Sequence, residues 1–325
     1  METKASPTGP QLGPDARPGE GAPLLIGICV VRNEADVVGE VLRSAAAQHD
    51  LILVVDTASS DGTVDEVRAV AKDEEHVVLM ASLPAPTWAE RVRRHVWARI
   101  SPCLPERTWW SFVDGDEFCR ESLSSVVSEA EAEGADHVQG AFATFAYTRG
   151  EAEAWRQGRE TLADRTRSIE ERRLFYVVSA YSERLFRGHS RLRWNEDTYV
   201  PGGLIRPLRR RICYRHYPNR DLPQLELRLS TRSGLDLTEE HRSVHYHWHH
   251  SVEEALNPDD DPKLQRHEPG SLIALPEPWR RVWVKDPFRR TAARARRLVR
   301  ARVPQEAGLF ADLPVDAIIE RIKRT

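Results

Sequence analysis

The sequence predicts an α/β fold, a mostly parallel sheet flanked by helices and followed by a C-terminal extension. Three observations predict it. Short continuous apolar runs, "LLIGICVV", "LILVVD" and "WWSFVD", read as strands buried on both faces. Stretches with helical spacing separate them, and strands alternating with helices imply a parallel sheet with right-handed crossovers. Two of the runs end in an acid, Asp56 and Asp114, and in parallel sheets ligands sit at the carboxyl ends of the strands.

The elements follow in order. Residues 1–22 are rich in Pro and Gly and lack the apolar centre of a signal peptide, so they are expected to be a disordered tail. Leu24 to Val31 is the first strand. Val37, Val38, Val41, Leu42 and Ala45 then recur with helical spacing. Leu51 to Asp56 is the second strand, and "TASSDGT" is a turn by composition. Thr63 to Ala71 is expected to be helical, "HVVLMAS" is the third strand, and a helix covers Trp88 to Ile100. "WWSFVD" is the fourth strand; a helix from Ser122 to Glu133 and a strand at "DHVQGAFATFAY" follow. Residues 23–235 are taken as the main domain and 236–325 as the extension. Beyond about residue 150 the pattern degrades. "TRGEAEAWRQGRETLADRTRSIEERR" is expected to be a surface helix or a mobile loop, and the basic stretch from Arg280 to Arg302 reads as helical.

Composition narrows the function. The 325 residues carry a formal net charge of −3, which offers no global attraction for nucleic acid. Cys29, Cys103, Cys119 and Cys213 are scattered without a CxxC pair, which argues against a zinc ribbon or a disulfide framework and for free thiols in a reducing compartment. No apolar run approaches the roughly 20 residues that span a bilayer. A cytoplasmic protein is expected.

The stretch "VDGDEF" places Asp114, Asp116 and Glu117 directly after a buried strand. Two carboxylates at that spacing on a loop suit a hard divalent cation, Mg²⁺ or Mn²⁺, whose remaining ligands come from substrate phosphates. A solvated turn leading into the next helix would use the same residues. Further along, His245, His247 and His249 alternate in "HYHWHH" and would share one face of a strand. They could bind zinc, line an acceptor pocket or serve structure alone. The basic tail, Arg289, Arg290, Arg294, Arg296, Arg297, Arg300 and Arg302, could meet an anionic membrane surface or pack as an amphipathic helix.

Taken together and in order, "VVRNEADVVGEVLRS", "LILVVDTASSDGT" and "WWSFVDGDEF" resemble the family-two glycosyltransferases over residues 24 to 145, and more loosely to about 232. The resemblance implies a Rossmann-like GT-A fold, a nucleotide-diphosphate-sugar donor, a hydroxyl-bearing acceptor (glycan, lipid-linked or small molecule) and an inverting transfer assisted by Mn²⁺ or Mg²⁺. It places Asn33, Glu34, Asp56, Thr57, Asp61 and Asp114 at the donor, with Thr57 standing where the family often has a base-reading Asp. Asp61 could instead only order its turn. It places Asp114, Asp116 and His216 at the cation, with a structural role open for His216, and Glu117 in support or facing the sugar. In "RLFRGHSRLRWNEDTYVP" it nominates Glu196 as the base that takes the acceptor proton, with Asp197 second, where a turn with surface carboxylates would use the same residues. Arg91 and Arg94 match a position suited to phosphate, or form a solvated helix face. The rivals are a nucleotidyltransferase on a related fold, against which "VVRNEADVV" offers no Gly-rich cradle, and a non-catalytic nucleotide- or glycan-binding protein.

Overall fold

The computed structural model describes residues 23–189, 191–194, 198–233 and 251–282, with 318, 320 and 321. The elements are β1 (Leu25–Val31), α1 (Val38–Ala46), β2 (Leu51–Thr57), α2 (Thr63–Asp73), β3 (Val77–Leu83), α3 (Ala89–Ile100), β4 (Trp109–Asp114) and β5 (Glu117–Cys119). Then come α4 (Leu123–Glu133), β6 (His137–Phe145), α5 (Arg149–Arg156), α6 (Ile169–Arg172), β7 (Phe175–Arg187), β8 (Ile212–His216), α7 (Leu222–Ser233) and β9 (Gln265–Arg266), with short helices at Val252–Ala255 and Glu277–Arg280. The α/β expectation holds.

One sheet runs in the order β3-β2-β1-β4-β7-β6-β8-β5, with β9 added to β7. Its first four strands are parallel neighbours. Alternate side chains serve opposite faces, as the two-residue period requires. Ile26 and Ile28 pack with Val92, Val96 and Ile100 of α3. Cys29 and Val31 pack with Val38, Val41 and Leu42 of α1. Both faces are covered, so these strands read as unbroken apolar runs.

The second half of the sheet is mixed, within the mostly parallel expectation. β7 inserts antiparallel between β4 and β6, and β5 pairs antiparallel with β8, while β6 and β8 are parallel. The pairing of β6 with β7 is bulged: Val138 faces Leu185 and Gln139 faces Glu183, which leaves Arg184 as the extra residue. Bulges bend a strand and re-aim a side chain. Here the re-aimed side chain is a buried arginine, 1% exposed.

The charged stretch expected at the surface is partly interior. α5 begins with a capping box between Thr148 and Glu151, the usual way of satisfying orphan N–H groups. On α6 and just after it, Glu170, Arg172 and Arg173 are buried. Glu170 accepts from Arg120 (2.7 Å), Arg215 (2.5 Å), His267 (2.8 Å) and the Gly270 N–H (2.7 Å), which clasps the 265–271 segment to the sheet. Cys29 and Cys119 are buried free thiols. Among the described residues no helix is long and apolar enough to cross a membrane.

Candidate functional site

Register brings four strand ends into one row. Val31 of β1 lies opposite Asp56 of β2, Asp56 opposite Ser82 of β3, and Val30 opposite Asp114 of β4. Beyond β1 and β2 the backbone turns at Asn33 (φ 58°) and Ala58 (φ 60°), both in the left-handed region that side chains seldom adopt. The Asn33 carboxamide helps hold its turn. Its Oδ1 accepts from the Ser60 N–H at 2.8 Å, and its Nδ2 donates to Thr231 of α7 at 3.0 Å.

Asp56 is 1% exposed. Its carboxylate accepts from the Ser59 N–H (3.3 Å), the Ser59 hydroxyl and the Ser82 hydroxyl (2.6 Å). Thr57 is also buried and donates to the Val31 carbonyl at 3.3 Å. Asp61 accepts from the Thr63 N–H (2.9 Å) and the Ala35 N–H (3.2 Å), the loop-ordering arrangement open to a turn Asp. These three residues hold the loops after β1 and β2 in place through contacts within the protein.

Between β4 and β5 the chain turns at Asp114-Gly115-Asp116. A side chain at Gly115 would meet Val31 Cγ1 at 3.0 Å and Glu34 Cγ at 3.2 Å, so glycine lets the turn lie against the end of β1. The two aspartates face different partners. Asp114 is gripped by Arg93 of α3 and by both terminal nitrogens of Arg184 at 2.9 Å. The two arginines also reach the Tyr199 hydroxyl, at 3.3 and 3.2 Å. Burial opposes ionisation of Asp114, but the two guanidiniums outweigh it and hold the carboxyl below its usual range.

Asp116, 7% exposed, lies 3.5 Å from His216 Nε2, 3.4 Å from Arg228 Nη1 and 3.9 Å from Arg220 Nη1. These cations overcome its burial and depress its pKa strongly. In return, Asp116 raises the His216 pKa against the desolvation that lowers it. Glu117 sits opposite His216 in the β5–β8 ladder and bonds Arg184. Burial, against the pull of Arg184, pushes Glu117 up to about 7. One ligand atom from each of Asp116, Glu117 and His216 falls within 4.8 Å of the others. Two carboxylates and an imidazole suit a divalent cation such as Mn²⁺, since imidazole is a less natural ligand for Mg²⁺.

Behind this group stands Arg220, 0% exposed. It bonds Asp36 through Nε (2.8 Å) and Nη2 (2.9 Å), Glu34 at 2.5 Å and the Tyr217 carbonyl at 2.9 Å. Burial pushes Glu34 up to about 8 against the pull of Arg220.

The structure thus brings Asn33, Glu34, Asp56, Thr57, Asp61, Asp114, Asp116 and His216 to one edge of the sheet. Of the residues expected at the cation, Asp116 and His216 meet, Glu117 joins them, and Asp114 faces Arg93 and Arg184. Glu196, Asp197, the alternating histidines 245, 247 and 249, and the arginines from 289 to 302 lie outside the described residues. Sequence reasoning missed Arg93, Arg184, Arg220, Arg228 and Tyr199. Arg91 is exposed, and the helix turns Arg93 inward instead. The signal was present: Arg93, Val96 and Ile100 follow the three-and-four spacing of a buried stripe.

Comparison with solved structures finds distant likenesses. A mannosyltransferase from Pyrobaculum calidifontis, in complex with GDP-Man and Mn²⁺, is 19% identical with a TM-score of 0.30, over 40% of this chain and 37% of that one. A glucosyl-3-phosphoglycerate synthase from Mycobacterium tuberculosis, with Mn²⁺, UDP and glucosyl-3-phosphoglycerate, is 18% identical with a TM-score of 0.26, over 41% and 47%. A 4-diphosphocytidyl-2C-methyl-D-erythritol synthase is 13% identical with a TM-score of 0.29, over 51% and 74%. The chain therefore spans less than half the length of the first two. No curated protein matches it. The family model "Glycosyl transferase family 2" matches residues 28–213, more than half of the chain, and the chain belongs to that family.

Proposed function

We propose that the protein moves a sugar from a nucleotide-diphosphate sugar to a hydroxyl acceptor, with inversion at the sugar carbon and with Mn²⁺ or Mg²⁺ as cofactor. The observation that carries this reading is the Asp116–Glu117–His216 group at the carboxyl edge of the sheet, in a chain of this family. A divalent cation held there would stabilise the charge that develops on the departing nucleoside diphosphate. The chain's own residues do the rest. Asn33, Asp56, Thr57 and Asp61 shape the nucleoside end of the crevice. Asp114, fixed by Arg93 and Arg184, faces the ribose side. Glu196, with Asp197 as the second candidate, takes the proton of the acceptor hydroxyl, without which that hydroxyl is a poor nucleophile.

The test is calorimetry with UDP and GDP, in Mn²⁺ and in EDTA. Binding of one diphosphate that requires the metal is expected, followed by turnover of the matching nucleotide sugar. Pyrophosphate release from a nucleoside triphosphate and a sugar phosphate would replace this reading with a nucleotidyltransferase. Failure of every nucleoside diphosphate to bind with Mn²⁺ would discard it.

A further inference from the structure

Arg228 is placed unlike the other cations around the turn. Arg220 is 0% exposed, and its three nitrogens are all engaged with Asp36, Glu34 and the Tyr217 carbonyl. Arg184 is 1% exposed and committed to Asp114 and Glu117. The Arg228 side chain keeps 17% of its surface and touches Asp116 only through Nη1, at 3.4 Å, the same atom that donates to the Pro218 carbonyl at 2.5 Å. Among the described residues, Nε and Nη2 of Arg228 have no hydrogen-bond partner.

The helix that carries it is fixed at both ends. Thr231 is tied to Asn33, and Asp221 caps the Gln224 N–H (3.0 Å) while Arg165 holds it by two bonds of 2.9 and 2.8 Å. A long side chain with idle donors on an anchored helix can change partner without moving the backbone. The local charge gives a reason to do so. Glu34, Asp36, Asp114, Asp116 and Glu117 all crowd this edge, and an anionic diphosphate cannot approach them without a cation turned toward it.

We propose that Arg228 is a binding residue for the donor diphosphate and that it alternates between two anions. It neutralises Asp116 while the site is empty, and it turns to the diphosphate once Asp116 carries a divalent cation. The guanidinium and a cation on the same carboxylate repel each other, while the fork of Nε and Nη2 matches two phosphate oxygens. This rests on the reading above that the site takes a nucleoside diphosphate.

Opposite changes in two affinities test it. Wild type, Arg228→Gln and Arg228→Lys, each full length and checked for folding by circular dichroism, are titrated with Mn²⁺ alone and then with UDP and GDP in saturating Mn²⁺. Arg228→Gln should bind Mn²⁺ alone at least as tightly as wild type, because its competitor is gone. It should bind the diphosphate about tenfold more weakly or worse, the loss of a charge-assisted pair. Arg228→Lys should recover part of the diphosphate affinity through its charge. It carries the test alone if Arg228→Gln does not fold, by binding the diphosphate more weakly than wild type. A folded Arg228→Gln protein that keeps full diphosphate affinity would overturn the proposal, as would parallel weakening of Mn²⁺. If wild type itself binds neither diphosphate nor any other nucleoside diphosphate, the functional reading fails rather than the role of Arg228.

Discussion

The parallel half of the sheet, β3 to β4, and the mixed half, β7 to β5, meet at the crevice with opposite charge. The first half and the turn after it bring Glu34, Asp36, Asp114, Asp116 and Glu117. The second half and the helix after it answer with Arg184, His216, Arg220 and Arg228. Among the described residues, Arg93 of α3 is the cation of the first half that pairs with one of these five acids. Acids presented by a rigid parallel sheet are therefore neutralised from segments distant in sequence, and the site exists only when both halves are in place. Such pairs gain little over an apolar core, yet breaking one strands a buried charge.

Four experiments sharpen or break this contrast. The largest effect is expected for Arg220→Met, which leaves Glu34 and Asp36 buried without their shared partner. It should cost about 3–5 kcal/mol in urea unfolding, and a cost near zero would mean that the two halves are not joined through this residue. Next comes Asp116→Ala. Turnover should fall by about a hundredfold or more, while the fold survives, because Arg220 keeps Asp36 and Arg228 keeps the Pro218 carbonyl. A folded variant with near-normal activity would remove Asp116 from the site.

Gly140→Ala tests how the second half aims its arginine. A methyl there would lie 2.6 Å from Arg184 Cγ and 2.7 Å from the Tyr214 ring. Overpacking of this kind should cost about 1–3 kcal/mol, read as a lower thermal midpoint, and no change would show that Arg184 has slack. The smallest effect is a pH dependence. Burial opposes ionisation of Glu170, but His267, the Gly270 N–H, Arg215 and Arg120 bring its pKa from 4.5 down to about 2. In that window the unfolded chain binds more protons, so the contribution of Glu170 is complete above about 4.5 and is lost as pH falls toward about 2. Glu170→Gln should be less stable than wild type at pH 7, and the gap should narrow on acidification. A gap that stays constant with pH would place the stabilisation elsewhere.

What was legible follows the same division. β1, β2 and β4 announce themselves because both faces are buried and their apolar runs are unbroken. Asp56, Asp114 and Asp116 stand out against those runs. The cations do not stand out, since arginine is common along the whole chain and one buried guanidinium looks like any exposed one. Arg184 was hidden for a further reason. Its inward aim depends on the bulge opposite Val138 and Gln139, a product of strand pairing that no local pattern records. His216 was nominated through the family resemblance alone, and its partner Glu117 became its neighbour only through the β5–β8 register.

The spacing between Asp116 and Arg228, 112 residues, also has a meaning in time. At a synthesis rate of about 5–20 residues per second, the acids of the β4–β5 turn leave the ribosome about 6–22 s before the last of their counter-charges. β1 to β4 can pair during that interval, but their loaded edge must stay hydrated until β7, β8 and α7 emerge. The nascent chain should therefore close this edge last. A translational pause placed before residue 220 would hold it as a half-sheet with an acidic rim, open to solvent and to chaperones.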